Sequence, residues 1–394
     1  MKKNRREFLK YAGLGGLAIS TTGVNSRTFT DRVGDGTMKD ELLFLNPIDG
    51  DMLSEYDGIV SNECLTTKVK VMASAGRTLK LNGIGAKFTD GIYWAEVCLK
   101  DYKNVIEVFD VNSGERQSIT AFWLKNLVNK YRLSLDDNIW FLQDISENSN
   151  KYKSIFENPY LGFLKQVHDT YGTKIHLNIY YQTEGFNLSQ MTTKFKSEWR
   201  DNSGWLGLSF HALQNDPDRP YIKASYDQVK KDCEMVNEQI RRFAGEEVTG
   251  PVTTLHWGAA TVEGCRALRD AGYTALAGYF IMDDPDPVSY YLDIEKRQHV
   301  NNRFIWRDNK EGLIFARMAL VINLLEQDDI VPYLDNLRSD GHKPAYVDLM
   351  IHEQYYYPFY KDYQPDYKQK VLTSVKWAAV NGYKPAFLSE CVFG

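Results

Sequence analysis

The chain has 394 residues, 43% of them hydrophobic, and a formal net charge of -5. Domains usually hold roughly 100–200 residues, so a chain of this length predicts two of them. Its acidic balance provides no field that attracts phosphate backbones, and no cluster of lysine and arginine follows the first ten residues. We therefore expect no nucleic-acid partner.

Residues 1–37 resemble an export signal and a linker. A basic start, a modest apolar run and small polar residues follow one another in MKKNRREFLKYAGLGGLAIS. Arg5 and Arg6, followed by Phe8 and Leu9, resemble a twin-arginine signal, and an ordinary secretory signal is the alternative. Both predict a periplasmic or surface protein. The apolar run is much shorter than the ~20 residues of a membrane span, so we expect no membrane span.

Residues 38–126 read as an all-β domain. Short alternating runs, including 67–72, 91–99 and 104–109, are separated by turn signals such as Asn-Gly and Asp-Gly. This spacing is typical of a small immunoglobulin-like β-sandwich. Cys64 and Cys98 both lie in it and could pair in an oxidising compartment, although a buried free thiol is the commoner state. We expect no catalytic residues in this domain.

Residues 127–394 alternate strand, loop and helix. The clearest helical period runs from Tyr226 to Ala244 and ends at Gly245, and strand VTTLHW follows. Repeated helix-to-strand connections predict a parallel sheet, and ~260 residues fit a (β/α) barrel of seven or eight units. The fold expected is thus a β-sandwich followed by an irregular barrel.

Four strand-like runs in this region end at a residue able to bind a metal or move a proton. They are Leu133 to Asp137, Leu206 to His211, Val252 to His256 and Val347 to His352. The carboxyl ends of barrel strands form one rim, so these residues are expected to converge there. Asp136 and Asp137 are neighbours in a strand and can point apart, one to a metal and one to substrate. Helix capping is the alternative role for this pair.

The order of LSLDDN, LGLSFHALQN, TTLHWG and LMIHEQ resembles a divergent polysaccharide deacetylase of the carbohydrate esterase type. The resemblance implies an irregular (β/α) barrel and a metal-dependent hydrolase. By motif match it implies Asp136 as catalytic base, Asp137 and His211 as metal ligands and His352 as general acid. A divalent cation is implied, with zinc the leading candidate for an Asp/His set.

Two departures from the family pattern affect the ligand set. Asn215 stands where the second motif offers another histidine, and asparagine is a poorer ligand for transition metals than imidazole. The Arg-x-Pro-aromatic element is absent, and His256 and Trp257 occupy the comparable stretch. His256 therefore either replaces the missing ligand or bonds a sugar hydroxyl.

The segment after His352 is rich in tyrosine, whose rings stack on sugars while their hydroxyls bond sugar oxygens. Packing of this loop against the barrel is the alternative. A glycan or acetylated amino sugar is the expected substrate. The candidate substrate contacts are Trp257, Glu353, Tyr355, Tyr356, Glu184 and Asn215.

The sequence thus predicts an exported hydrolase that removes N- or O-acetyl groups from a glycan by attack of a metal-activated water. Two other functions stay open. A glycoside hydrolase needs two carboxyls at roughly 5–9.5 Å, and Glu184, Glu353 and Glu390 lie near predicted strand ends. A glycan-binding protein without catalysis would fit the missing motif histidine.

Overall fold

The computed structural model of the protein describes residues 41–280, 288–339 and 343–394. Within them the chain divides into two compact units, residues 41–125 and 126–393. The expected export signal and linker, residues 1–37, lie outside the described residues. Every helix of the described ranges falls short of the length or the apolar character that crossing a bilayer requires.

The N-terminal unit consists of two five-stranded sheets. One has the order β1-β4-β8-β7 with β3 beside β4, and the other has the order β2-β10-β9-β5-β6. The strands are β1 (Leu43–Asn46), β2 (Met52–Leu53), β3 (Gly58–Ser61), β4 (Cys64–Met72), β5 (Leu79–Leu81), β6 (Ile84–Gly85), β7 (Lys87–Thr89), β8 (Ile92–Leu99), β9 (Lys103–Asp110) and β10 (Arg116–Trp123).

Alternation of side chains along these strands builds a single core between the two sheets. In β8, Val97 and Leu99 are buried while Glu96 and Cys98, which alternate with them, are exposed, as the two-residue period of a strand requires. Both pack in one hydrophobic cluster with Ile106 and Val108 of β9 in the opposite sheet. The unit is the sandwich that the sequence predicts, and its immunoglobulin-like class stays a prediction.

Cys64 and Cys98 form a disulfide, with Cα atoms 5.6 Å apart. The commoner free-thiol state is therefore not the one found at this pair. The reason is the pairing of β4 with β8, in which Leu65 lies opposite Leu99 and brings the two cysteines side by side.

The C-terminal unit alternates strands with helices. Its strands are β11 (Lys130–Asn138), β12 (Ile175–Tyr180), β13 (Gln182–Thr183), β14 (Phe186–Asn187), β15 (Leu206–Ala212), β16 (Val252–Thr253), β17 (Ala275–Gly278), β18 (Ile305–Asp308), β19 (Leu313–Arg317), β20 (Leu320–Val321), β21 (Tyr346–His352) and β22 (Lys384–Pro385). Its helices are α1 (Trp140–Glu147), α2 (Pro159–Tyr171), α3 (Lys196–Asp201), α4 (Tyr226–Phe243), α5 (Val262–Asp270), α6 (Ile294–Arg303), α7 (Ile330–Ser339), α8 (Tyr367–Val380) and α9 (Ser389–Val392).

The helix that the sequence pattern predicts from Tyr226 to Ala244 is α4. Ser225 accepts a hydrogen bond from the backbone N–H of Gln228 and so caps the first turn. One face of the helix is buried at steps of three and four residues, by Val229, Cys233, Val236, Ile240 and Phe243. Burial of each large apolar side chain contributes roughly 1.5–3 kcal/mol.

Apart from the β13-β14 hairpin, the described strands of this unit form two open sheets. The prediction of a closed barrel is therefore wrong at the level of backbone pairing. One sheet has the order β15-β12-β11-β21-β20 with β22 beside β11, and the other has the order β16-β17-β19-β18. All pairs of the first sheet are parallel, which requires crossover connections. The mixed α/β architecture is as expected.

Individual hydrogen bonds connect the two sheets at the places where regular strand pairing ends. Between β19 and β20, Met318 N–H donates to the Gly278 carbonyl at 2.8 Å and Ala319 N–H to the Asp348 carbonyl at 2.9 Å. Between β15 and β16, the hydroxyls of Ser209 and Thr253 lie 3.2 Å apart. Because β16 has only two residues, side chains take the place of backbone pairing there.

Candidate functional site

Three buried side chains of the metal-binding type meet at the carboxyl ends of neighbouring strands. Asp137 lies near the end of β11, His211 near the end of β15, and His256 shortly after β16. Each is at most 1% exposed. Parallel strands end at one edge, so residues far apart in sequence converge there. The three groups that the sequence placed on one rim are thus brought together.

The three atoms that face one another form a small triangle. Asp137 Oδ1 lies 3.0 Å from His211 Nε2 and 3.2 Å from His256 Nδ1. The two ring nitrogens are 3.2 Å apart. Among the described residues, this Asp/His/His group has the ligand types and the spacing that a metal ion requires.

The outer nitrogens of both rings fix which nitrogen faces the triangle. His211 Nδ1 lies 2.5 Å from the Thr254 carbonyl, and His256 Nε2 lies 3.0 Å from the Asn215 carbonyl. A carbonyl only accepts, so each of these nitrogens must carry a hydrogen. In the neutral rings the inner nitrogens therefore present lone pairs, and the outer N–H groups hold the rings in position as metal-site histidines require.

This donor set fits a divalent cation. Two imidazole lone pairs and a carboxylate oxygen point at a common centre, an arrangement that repels unless a cation or an added proton lies between them. Zinc bonds to nitrogen and oxygen of about 2.0–2.2 Å in a tetrahedron place ligand atoms roughly 3.3 Å apart. The observed 3.0 to 3.2 Å is close to that spacing.

Two residues with positive φ shape the backbone of the site. Asp137 has φ 63° and Trp257 has φ 64°. The register of β11 against β12 shifts between Leu135 and Asn138, and such bulges re-aim side chains next to active sites. A residue other than glycine with positive φ costs on the order of 1–3 kcal/mol. Such strained residues cluster at functional sites, where they hold a side chain in a required orientation.

Asp136 lies beside the triangle and is held by Asn178. The Asn178 amide Nδ2 donates to Asp136 Oδ1 at 2.6 Å. The orientation of this amide is fixed, because its Oδ1 accepts from Ser209 Oγ at 2.6 Å and from Thr254 N–H at 3.2 Å. Asn178 therefore turns a donor, rather than an acceptor, towards the predicted base.

A chain of donors leads from the interior of the unit to this amide. Arg132 Nη1 donates to His176 Nδ1 at 2.6 Å, and His176 Nε2 lies 3.0 Å from Ser209 Oγ. Burial, and then the Arg132 guanidinium, hold the pKa of His176 well below its usual value, so the ring is neutral. Arg132 also pairs in bidentate fashion with buried Asp348. Every hydrogen in this donor chain points towards Asp136.

His352, the predicted acid, ends β21 directly beside Asp136. The two residues are partners in the register of β11 and β21, and parallel strands lie about 4.8 Å apart. His352 Nδ1 lies 2.8 Å from Asn323 Oδ1. With the amide oxygen accepting, Nδ1 carries a hydrogen and Nε2 becomes the nitrogen that exchanges a proton.

Glu353 caps a helix and is not placed to contact a sugar. Its carboxylate accepts from the backbone N–H groups of Ile139, Trp140 and Phe141 at 2.6 to 3.1 Å, and from the Tyr357 hydroxyl at 2.9 Å. It is fully buried. These contacts use both oxygens at the amino terminus of α1, where negative charge is favoured. The predicted substrate contact is therefore replaced by a structural one.

We expect Glu353 to make folding stability depend on pH. Burial raises its pKa to about 7, although its hydrogen bonds act in the opposite direction. Since the folded pKa lies above the unfolded value near 4.3, stability is fully present below pH ~4.3 and falls as pH rises through 7, by on the order of 3 kcal/mol. Denaturant unfolding at pH 5 and pH 8 should show this fall in the wild type and a smaller one in Glu353→Gln. The exposed Glu184→Gln is the control, and an equal fall in Glu353→Gln would contradict the assignment.

The tyrosines after His352 mostly pack inside. Tyr355 is 1% exposed and contacts the rings of His352 and Tyr360, so its burial argues against the predicted sugar contact. Tyr356 is half-buried and packs edge-on against Tyr160, with ring centroids 5.2 Å apart. Loop packing, the alternative reading of this segment, describes both residues.

The remaining predicted substrate residues lie at different depths. Asn215 reaches the triangle through its carbonyl, and its side-chain Oδ1 accepts from Gln354 Nε2 at 2.9 Å. Trp257 is 8% exposed, with the Arg219 guanidinium 5.2 Å from its ring. Glu184 is exposed in the turn between β13 and β14. Sugar contacts by these three residues stay predictions.

The carboxyls required by the glycoside hydrolase alternative are not brought together. Glu390 bonds Lys174 Nζ at 2.5 Å, and Lys174 precedes the amino end of β12, whereas the triangle lies at the carboxyl ends. Glu353 is engaged by backbone amides and Glu184 is exposed in a hairpin turn. This set of glutamates therefore does not support a retaining or inverting pair.

Sequence reasoning missed Tyr180, Asn178 and Asn323. Tyr180 is the last residue of β12, and its hydroxyl donates to Asp137 Oδ1 and lies 2.9 Å from His256 Nδ1. Its place at a strand end, between the Asp137 strand and the His211 strand, is a signal that could have found it. Asn178 and Asn323 gave no such signal, because their roles depend on partners from other strands.

No family model matches the chain, and no curated protein sequence matches it. Among solved structures, a CE4 esterase from Streptococcus mutans has a TM-score of 0.35 and 11% identity, covering 65% of this chain and 84% of that one. A family 4 acetyl xylan esterase from Clostridium thermocellum, in complex with a cobalt ion, has a TM-score of 0.35 and 12% identity, covering 66% and 89%.

A CE4 family pseudoenzyme from Bacillus anthracis has a TM-score of 0.33 and 8% identity, covering 73% of this chain and 84% of that one. At these values the comparisons describe a partial likeness and assign neither a family nor an activity.

Proposed function

We propose that the protein is a metal-dependent hydrolase that removes acetyl groups from a glycan. The observation that carries this proposal is the triangle of Asp137, His211 and His256, whose lone pairs face one another at 3.0 to 3.2 Å. Asp136 and His352 lie beside it in register on adjacent strands. A cation site with a carboxylate and an imidazole next to it is suited to acyl transfer to water.

The residues divide the proton transfers between them. A bound divalent cation would supply an acidified water, with a pKa near 7, and a polarised acyl carbonyl. Asp136, oriented by Asn178, accepts the proton of the attacking water. His352, whose Nδ1 is held by Asn323, donates a proton from Nε2 to the departing amine or alcohol. Each proton transfer contributes on the order of 10²–10⁴ in rate.

An aromatic surface next to the site supports a glycan substrate. Trp140 packs against Tyr357 and Phe359, with ring centroids 5.4 and 5.0 Å apart, and Phe359 is 71% exposed. Trp140 follows Asp137 by three residues, so their Cα atoms are at most about 11 Å apart. Exposed aromatic faces beside a reactive centre suit the apolar faces of sugar rings. The export signal expected in residues 1–37 would place this substrate outside the cytoplasm.

The test is acetate release from N-acetylated and O-acetylated oligosaccharides by zinc-loaded and chelator-treated protein. We expect chelation to lower release by at least about 100-fold, since several kcal/mol from a cation correspond to two or more factors of ten. Zinc should restore it. An aryl acetate serves as a small control ester.

Each other outcome contradicts a defined part of the proposal. Hydrolysis of the aryl acetate alone would contradict the glycan substrate. Release of shorter sugars without acetate would favour the glycoside hydrolase, and glycan binding without any release would favour a binding protein. Equal acetate release with and without chelation would contradict the metal dependence.

A further inference from the structure

The hydroxyl of Tyr180 lies beside the edge of the ligand triangle that joins Asp137 and His256. Tyr180 is fully buried at the end of β12. Its hydroxyl contacts Asp137 Oδ1 closely and lies 2.9 Å from His256 Nδ1. Asn215 Oδ1 is 3.4 Å from the same hydroxyl. The phenol therefore contacts two of the three atoms that face one another in the triangle.

Tyr180 supplies a hydrogen to this group of acceptors. In their neutral forms, His211 and His256 direct unprotonated nitrogens inward, since their outer nitrogens donate to carbonyls. Asp137 Oδ1 accepts from the phenol. The phenolic proton thus lies close to acceptor atoms that could otherwise bind a cation. Metal binding to such a group releases protons.

The distance from the phenolic oxygen to His256 Nδ1 is close to the distances between the other donors. It lies 2.9 Å from His256 Nδ1, while the sides of the triangle measure 3.0 to 3.2 Å. Ligand atoms around tetrahedral zinc are roughly 3.3 Å apart. An oxygen at this distance either bonds to its neighbours through a hydrogen or shares a metal with them.

We propose that Tyr180 is a fourth protein ligand of the cation, through its phenolic oxygen, completing a set of two nitrogens and two oxygens. The inference rests on the metal site of the proposed function. It gives the chain a ligand in addition to His256, in a sequence where Asn215 replaces the motif histidine. Four protein ligands close a tetrahedral site, so the water of the proposed hydrolysis requires a fifth position.

The test uses the full chain loaded with Fe(III), because phenolate ligation to iron produces a charge-transfer absorption band in the visible region. We expect the band in the wild type, its loss in Tyr180→Phe, and its retention in Tyr181→Phe. Zinc affinity should fall by about tenfold or more in Tyr180→Phe, at least the loss that an outer-shell partner causes. Circular dichroism and thermal melting check that each variant folds.

The outcomes separate this inference from the proposed function. A wild type that binds neither Fe(III) nor zinc removes the metal site itself, and the inference with it. A wild type that binds both metals, with the same spectrum and zinc affinity in Tyr180→Phe, overturns the Tyr180 ligand and leaves the Asp/His/His site intact. Loss of the band together with weaker zinc binding in a folded Tyr180→Phe supports the fourth ligand.

Discussion

Asp136→Asn is expected to lower acetate release by about 10²–10⁴-fold while zinc stays bound. The amide cannot accept the proton of the attacking water, yet its oxygen can still accept the hydrogen bond that Asn178 Nδ2 gives to Asp136 Oδ1. The substitution keeps the shape of the side chain, so we expect the fold to persist. Turnover and zinc content, measured on the same sample, check this expectation.

The matched control for this prediction is Asp169→Asn, which makes the same chemical change on the exposed surface of α2, where Asp169 pairs with Lys165. It should leave both turnover and zinc content unchanged. Full activity in Asp136→Asn would remove this residue from the mechanism. Loss of zinc together with activity would instead assign Asp136 to the ligand set.

Asp137→Ala and His211→Ala are expected to abolish stoichiometric zinc binding and, with it, acetate release. Each removes one corner of the triangle, and the affinity loss should exceed the roughly 10–100-fold caused by removing an outer-shell partner. Zinc at 100 times its Kd stabilises the wild type by about 2.7 kcal/mol, which raises Tm by roughly 5–10 °C for a unit of this size. Neither variant should show this rise.

Elemental analysis and thermal melting with and without zinc measure these effects. The control is His299→Ala on α6, which removes an imidazole that packs edge-on against Trp306, and it should bind zinc like the wild type. A variant that melts cooperatively without zinc but gains no stability from it supports the site. Unchanged zinc stoichiometry in both Asp137→Ala and His211→Ala would end the metal assignment.

The sequence was sufficient to predict that Asp137, His211 and His256 meet, because the positions depend on one rule. Each residue ends or follows a short apolar run, and the carboxyl ends of parallel strands lie together. The same rule brought His352 beside Asp136. Local pattern was enough here because strand direction, rather than detailed packing, decides where such residues lie.

Other features depend on contacts that no local pattern contains. Glu353 was predicted to contact the substrate because it follows a predicted strand end, but its carboxylate accepts from the backbone at the start of α1, more than 210 residues away in the chain. Tyr180 was not singled out in the sequence, and its contacts with Asp137 and His256 on other strands make it part of the site. The sheets are not joined between β15 and β16, where β16 has just two residues, a length that residue type does not reveal.

The hydrogen bonds of the donor chain from Arg132 to Asp136 all run in one direction through the interior of this unit. Arg132 only donates and Asp136 only accepts, while His176, Ser209 and Asn178 each accept on one side and donate on the other. Removing Ser209 or His176 would therefore loosen the contacts that keep the oxygen of the Asn178 amide turned away from the carboxylate. Apolar replacements of similar volume, which many protein interiors tolerate, would therefore disturb the hydrogen bond to Asp136 as well as the stability of the fold. Attempts to rebuild this interior should treat these polar residues as part of the reaction machinery.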